Sequence, residues 1–165
     1  MRKLFLAMLF LAAGSPAWAQ KVDRVEIVEY GIYAVDTLQS QRDMYGQLHS
    51  AVGNVRHVET TTTIPAELGV KFGIRYRVIG DPDGQRVTIR KSLLYPLPGV
   101  KAPNAPRPLL RSDDPIAPTI GEIGYSGFEF DDPWELVPGV WTIQLWQGTR
   151  LLTEQRFNVV ARQGV

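Results

Sequence analysis

The stretch VKFGIRYRVI, residues 70–79, shows the clearest alternation of apolar and charged side chains in the sequence. Its apolar side chains occupy every second position: Val70, Phe72, Ile74, Tyr76 and Val78. Basic side chains stand between them at Lys71, Arg75 and Arg77. A period of two is typical of a β-strand that buries one face and exposes the other. The segment therefore predicts a strand of an antiparallel sheet.

A second strand is predicted directly after this one. The turn residues GDPDG at 80–84 lead into residues 87–94, which alternate in the same way. The inward set is Val87, Ile89 and Leu93, and the outward set is Arg86, Thr88, Arg90 and Ser92. Lys91 breaks the inward parity, which favours a β-bulge at this position.

Two more strands are predicted upstream. Residues 22–35 are rich in β-branched and aromatic side chains and indicate a strand that is kinked at Gly31. Residues 55–64 include four consecutive threonines, and Pro65 then suits an edge strand or the end of a strand. Both segments belong to the same β-rich pattern as residues 70–79.

The segment between these two strands, residues 38–53, leaves two interpretations open. Met44, Leu48 and Val52 fall four positions apart, which favours a short helix. Gly46 lies in the middle and no capping box precedes it, which favours an irregular loop.

The C-terminal part predicts three strands. Residues 125–130 form a short one, and residues 140–146 and 151–160 form an antiparallel hairpin around the turn at 147–150. The inward positions of the hairpin are Trp141, Ile143, Leu145, Phe157 and Val159.

Residues 96–118 contain seven of the twelve prolines in the chain. Proline lacks a backbone N–H, so this density predicts a long, partly polyproline-like loop. The loop is too short to separate two domains. Residues 20–165 are therefore predicted to form a single domain.

The sum of these elements predicts an all-β fold. About seven strands, frequent turns and no long helix indicate an antiparallel immunoglobulin-like β-sandwich with a long proline-rich loop. The chain has no cysteine, so the likeness to antibody domains is one of architecture without their disulfide. The absence of cysteine also excludes thiolate catalysis and cysteine-ligated zinc.

The first nineteen residues have the pattern of a secretory signal peptide. Arg2 and Lys3 precede an apolar run at residues 4–13, and AWA at 17–19 fits the cleavage motif, so cleavage is predicted after Ala19. The apolar run is about half the length of a spanning helix, and no segment of the mature chain is apolar enough to span a membrane. We therefore expect a periplasmic or secreted protein.

The charge of the chain is close to neutral. The full sequence has 18 Lys+Arg and 17 Asp+Glu, and loss of Arg2 and Lys3 leaves a mature formal charge of −1. Such a balance argues against nucleic acid as a partner, because nucleic-acid binders carry a clear basic excess.

Three segments together resemble a known family. They are VDRVEIVEYGIY at 22–33, TTTIPAELGVKFGIRY at 61–76, and YSGF at 125–128 with WELVPGVW at 134–141 and the strand at 151–160. As a set they resemble the DUF3859 family of secreted bacterial domains, which has no assigned function. The resemblance covers the mature chain and implies one secreted β-rich domain. It implies no catalytic residue, cofactor or partner.

No catalytic motif in the sequence is complete. GYSGF at 124–128 comes near a nucleophile elbow, but Phe128 takes the place of the second glycine and no helix follows. Both histidines, His49 and His57, precede this segment and match no zinc-binding spacing. We expect a strand or turn at 124–128, solvent-facing loop histidines, and a protein that is not an enzyme.

Two acidic clusters could offer oxygen ligands to calcium. One is Asp81 with Asp83, and the other is Asp131 and Asp132 with Glu135. Neither matches an EF-hand loop, and aspartate beside proline or glycine is ordinary in turns. No catalytic, cofactor-binding or metal-ligating residue is therefore assigned, and no cofactor is expected.

A candidate interaction surface is drawn from Trp146, Arg75, Arg77 and Arg90. Trp146 falls on the outward parity of its strand, where it is either an interface anchor or covered by the proline-rich loop. The arginines form a basic stripe if the strands at 70–79 and 87–94 pair directly. The stripe disappears if those strands lie in opposite sheets.

Two functions remain open on this evidence. The first is a non-catalytic interaction module that binds an envelope protein or a surface polymer. The alternative is a domain that binds a small ligand or an ion, such as calcium or an anion. Its pocket would lie under the loop at 96–118 or at the turn of residues 131–135.

Overall fold

A computed structural model describes residues 21–161, which form two β-sheets packed face to face. The predicted signal peptide and its cleavage site lie outside the described residues. The nine strands are β1 (Lys21–Arg42), β2 (Leu48–Glu59), β3 (Thr63–Pro65), β4 (Lys71–Asp81), β5 (Ile89–Leu94), β6 (Arg111–Ile116), β7 (Ile123–Glu129), β8 (Gly139–Gln147) and β9 (Arg150–Val160). A short 3-10 helix, Pro133–Glu135, lies between β7 and β8.

The strand order confirms the predicted sandwich. One sheet has four strands in the order β2-β1-β4-β7, and the other has five in the order β3-β9-β8-β5-β6. All neighbours are antiparallel except β3 and β9, which are parallel. The predicted strand at 70–79 is β4, and the predicted terminal hairpin is β8 with β9. Strands β4 and β5 lie in opposite sheets, which settles the pairing that the sequence left open.

The core lies between the sheets and is built on aromatic rings. Trp141 of β8 is fully buried, and its ring lies 5.0 Å from Tyr95, 5.0 Å from Phe128 and 5.4 Å from Phe130 between centroids. The fully buried ring of Phe72 reaches the same cluster from β4, 6.0 Å from Trp141. The indole N–H of Trp141 donates to the carbonyl of Val137 at 2.8 Å. The inward positions predicted for β4, β8 and β9 are confirmed.

The segment at residues 38–53 is neither a helix nor an irregular loop, so both expectations for it are wrong. Strand β1 pairs with β4 as far as Tyr33 and then continues to Arg42, paired with β2 alone. Residues 34–56 thus form a two-stranded arm that extends beyond the four-stranded sheet. Of the three residues with helical spacing, Leu48 and Val52 are half-buried on β2, whereas Met44 lies in the turn between the strands and is 86% exposed.

The proline-rich segment is also shorter as a loop than predicted. Residues 111–116 form strand β6, which includes Pro115. Strand β6 is the last of its sheet, and proline is tolerated at a sheet edge because a missing N–H there breaks no ladder bond. The loop proper therefore covers residues 95–110.

Replacing Trp141 tests whether the aromatic cluster holds the sheets together. We expect Trp141→Ala to lower the free energy of unfolding by about 3–5 kcal/mol, because it leaves a large cavity among the rings. Trp141→Phe should cost about 1–3 kcal/mol, since the carbonyl of Val137 then loses its donor. Urea unfolding measures both changes.

The matched control is Leu97→Ala, because the Leu97 side chain is 82% exposed. It should change the free energy of unfolding by no more than about 0.5 kcal/mol. Equal effects of Trp141→Ala and Leu97→Ala would contradict the role given to the cluster.

Candidate functional site

A cleft of about 460 Å³ opens between the two sheets where their edge strands, β6 and β7, face each other. The arm at residues 34–56 lies over it and supplies part of its lining. Strands β6 and β7 are joined by residues 117–122, where buried Ile120 bridges to Val78 of β4. The volume is in the range of small-ligand sites in proteins.

The lining of this inter-sheet cleft is amphipathic. Its apolar part consists of Val35, Leu48, Val52, Leu93, Ile116 and Phe128. Its polar part includes His49, Lys71, Lys91, Asp114, Ser126, Glu129 and Asp131. A cleft with apolar walls and a few placed polar groups is the usual form of a binding site.

Lys91 reaches the cleft because of its position in β5. Ile89, Lys91 and Leu93 share the inward face, and their partners across the strand pair are Ile116, Asp114 and Ser112. The register of β5 against β6 and β8 is unbroken. The predicted bulge at Lys91 is therefore wrong. Lys91 occupies a regular inward position of the strand. Its side chain enters the cleft and not the packed core.

A polar network joins the arm to β5 and β6 across the cleft. Lys91 Nζ lies 3.5 Å from Asp114 Oδ2, and His49 Nδ1 lies 3.4 Å from Asp114 Oδ1. His49 Nε2 is 3.1 Å from Asp43 Oδ2. The prediction of solvent-facing loop histidines is wrong, because His49 and His57 both lie half-buried on β2 and each approaches a carboxylate.

A second ion pair lies on the β7 side of the cleft. Lys71 Nζ is 2.6 Å from Glu129 Oε1, and both side chains are largely buried. Asp131 follows in the chain, and burial, together with the negative charge of Glu129, raises the pKa of its carboxyl. Both lysines in the cleft thus face a carboxylate, which disfavours an anion as its ligand.

Ser126 carries a polar group in the cleft that is buried and lacks a partner. The residue is 5% exposed, and its Oγ makes no hydrogen bond. Ser126 lies on β7, so the strand expected for GYSGF is confirmed. A buried hydroxyl without a partner costs free energy.

The arm is fixed to the five-stranded sheet and the 3-10 helix by polar contacts. The amide nitrogen of Gln47 donates to the hydroxyl oxygen of Tyr95 at 2.7 Å, and both residues are buried. Arg42 Nη1 pairs with Asp132 Oδ2 at 2.7 Å. Burial raises the pKa of the Tyr95 hydroxyl, so that group stays protonated. These contacts place the arm as the roof of the cleft.

Glu135 stabilises the turn beside the cleft. Its Oε2 accepts the backbone N–H of Asp131 at 2.8 Å and that of Asp132 at 3.0 Å. Burial raises the pKa of Glu135 to about 7. In the second acidic cluster considered for calcium, two of the three residues therefore have structural roles: Glu135 caps the turn and Asp132 pairs with Arg42. Within residues 21–161, no group of three or more acidic or histidine side chains converges as metal ligands would.

The structure divides the candidate interaction surface between opposite faces of the sandwich. Arg75 and Arg77 lie on β4 in the four-stranded sheet, and Arg75 Nη1 is 3.4 Å from Glu29 Oε2. Arg90 and Trp146 lie together on the five-stranded sheet, where the guanidinium of Arg90 stands 5.5 Å from the centre of the indole. The four residues do not form one surface, and the basic stripe does not exist.

Trp146 itself is half-buried. Arg90 lies over its ring, and its indole N–H donates to Gln144 Oε1 at 3.1 Å. The cover over the indole is a neighbouring arginine of the same sheet face.

The cleft touches both regions in which the sequence analysis expected a pocket. The cleft uses β6, from the proline-rich segment, and Asp131, from the turn. Sequence reasoning missed the arm, Lys71 and Lys91 as cleft residues. The sequence did contain a sign of Lys91: it is a charged residue at a position where the alternation of residues 87–94 predicts an inward side chain.

No helix within residues 21–161 has the length and apolar character needed to cross a membrane.

Comparisons with known proteins agree with the fold. The model of the family described as "Domain of unknown function (DUF3859)" matches residues 21–159. Among solved structures, the chain is similar to the crystal structure of an immunoglobulin-like protein from Pseudomonas aeruginosa. The two share 28% identity over 82% of this chain and 96% of that chain, with a TM-score of 0.58. The search of curated proteins finds no match.

Glu135→Gln tests the buried carboxyl beside the cleft. The pKa of Glu135 is raised from 4.5 to about 7 in the folded state, so the unfolded chain loses this proton first as pH rises. Folding stability should therefore fall between about pH 4.5 and 7, by roughly 2–3 kcal/mol from this group. Glu135→Gln keeps an acceptor for the two N–H groups and removes the titration.

Urea unfolding of both proteins across this pH range measures the difference. The stability of the wild type relative to Glu135→Gln should decline from pH 4.5 to pH 7. A constant difference would contradict a raised pKa for Glu135.

Proposed function

The chain belongs to the DUF3859 family, and we propose that it is a non-catalytic binding domain of the bacterial envelope whose ligand occupies the inter-sheet cleft. The observation that carries this proposal is the cleft itself, with about 460 Å³ of space beside a packed core. Protein interiors are closely packed, so a space of this size is a feature that needs an explanation. Binding of a ligand is the explanation that its amphipathic lining supports.

The location in the envelope is supported by the sequence. Residues 1–19 have a basic start, an apolar run and a cleavage motif, which together direct a chain to secretion. A domain without cysteine folds equally well in an oxidising compartment, because it has no thiol to pair wrongly. We therefore place the mature protein in the periplasm or outside the cell.

The absence of an enzymatic role is also part of the proposal. The cleft contains His49, Lys91 and Asp114, but Lys91 and His49 both approach the carboxylate of Asp114, which pairs these groups with one another. Ser126, the one hydroxyl that resembles a nucleophile in the sequence, makes no hydrogen bond to a base. A serine nucleophile needs a base within hydrogen-bond distance. The arrangement fits binding better than catalysis.

Filling the cleft tests this function. The Ile116→Trp variant places an indole in the cleft from the edge strand β6, and we expect it to abolish ligand binding while the fold remains. The measurement is the melting temperature of the mature domain in a panel of amino acids, peptides, sugars and metal ions. A ligand at a hundred times its Kd stabilises the native state by about 2.7 kcal/mol.

Val140→Trp is the matched control, because Val140 is 53% exposed on the outer side of β8. It adds the same ring away from the cleft, and the ligand should still raise the melting temperature. An equal response of Ile116→Trp and the wild type would remove the cleft as the site. No response of the wild type to any member of the panel would count against a ligand-binding function.

The outer face of the five-stranded sheet is a second candidate for binding a partner protein. The observation in its favour is the stacked pair of Arg90 and Trp146, since these residue types dominate the binding energy of many interfaces. If this face binds a protein, Trp146→Ala should weaken capture of that protein from an envelope extract by tenfold or more, roughly 1.4 kcal/mol. If the cleft is the site, Trp146→Ala should capture the partner as well as the wild type.

A further inference from the structure

Two strand edges open into the cleft. Strand β7 ends the order of the four-stranded sheet, and β6 ends the order of the five-stranded sheet. The last strand of a sheet has backbone N–H and C=O groups that no neighbouring strand satisfies. The cleft therefore offers backbone hydrogen bonds in addition to the side chains that line it.

The two edges differ in how well they accept another strand. Strand β6 contains Pro115, which lacks an N–H, and the charged side chains of Arg111, Asp113 and Asp114. Proline and charge are the usual means by which a sheet edge avoids pairing. Strand β7 has no proline, and its one charged side chain, Glu129, is paired with Lys71 of the same sheet. Of the two edges, β7 is therefore the one left open to another strand.

The hydrogen-bonding pattern between β4 and β7 shows which backbone N–H and C=O groups of β7 point away from β4. The N–H of Phe130 donates to the carbonyl of Val70 at 3.1 Å. The carbonyl of Ser126 also points to β4, because a Cβ on Gly73 would overlap it. Backbone groups in an antiparallel pair alternate between the two sides of the strand. Those of Tyr125 and Gly127 therefore point away from β4 and into the cleft that both residues line.

The side chains around this edge define what an added strand should carry. On the inner face, its side chains would lie beside Phe128, Leu93 and Ile116 and beside the unpartnered Oγ of Ser126. On the outer face, they would lie beside the Lys71–Glu129 pair. The inner positions thus suit apolar side chains. Lys71 and Lys91 are each paired with a carboxylate, so the cleft offers no free cation to an acidic segment.

We propose that the cleft binds an extended, largely uncharged peptide segment, which adds to the four-stranded sheet as a new strand along β7. This proposal rests on the proposed function and names the class of its ligand. The backbone of the peptide pairs with Tyr125 and Gly127, and every second side chain enters the cleft. Strand addition of this kind takes its affinity from main-chain hydrogen bonds and its specificity from the alternate side chains.

The probe is a library of random linear peptides displayed on phage, selected on the immobilised mature domain. Selected peptides are then synthesised in three forms: unmodified, and N-methylated at alternate residues in each of the two frames. Strand addition uses the N–H groups of one frame only. We expect methylation in that frame to weaken binding about tenfold for each bond lost, and methylation in the other frame to leave Kd nearly unchanged.

The variants connect the peptide with the cleft. Ile116→Trp should lose the peptide and Val140→Trp should retain it, with circular dichroism to show that both are folded. Equal weakening by both methylation frames, or loss of the peptide with Val140→Trp alone, would overturn strand addition at β7. Selection that yields no peptide, while small molecules still stabilise the wild type but not Ile116→Trp, would overturn this inference and leave the proposed function standing.

Discussion

The ring cluster around Trp141 fixes how the two sheets pack against each other. It holds the two sheets apart at one fixed spacing, since the rings of Phe72, Phe130 and Trp141 are in contact from opposite sheets and fully buried. Tyr95 and Phe128 belong to the same cluster and also line the cleft. The packed core thus becomes the floor of the site, and aromatic packing keeps the site open and in shape.

The roof of the site is held in a different way. The arm at residues 34–56 is a two-stranded ribbon, which has little stability of its own in water. It is fixed by the Gln47–Tyr95 hydrogen bond and by partly exposed pairs such as Arg42–Asp132. Exposed ion pairs contribute at most about 1 kcal/mol each, far less than the aromatic core. The arm is therefore held less strongly than the two packed sheets hold each other.

The sequence was sufficient to predict the sandwich and insufficient to predict the cleft. Alternation in VKFGIRYRVI identifies β4 and its buried face, because a period of two depends only on which face meets the core. The arm escaped prediction because residues 38–53 mix glycine, polar and spaced apolar residues, and only the pairing of β1 with β2 makes this segment extended. Strand β6 escaped because Pro115 is typical of a loop, except at a sheet edge. Lys91 was visible as an inward charge, but its role needs the position of Asp114 on another strand.

Amide hydrogen exchange on the mature domain, with and without an envelope extract, shows whether the cleft between β6 and β7 is the binding site. We expect slower exchange at the amides of Tyr125 and Gly127 and along residues 48–52 of the arm when the extract is present. Slower exchange confined to the outer face around Arg90 and Trp146, with the amides of β7 unchanged, would contradict it.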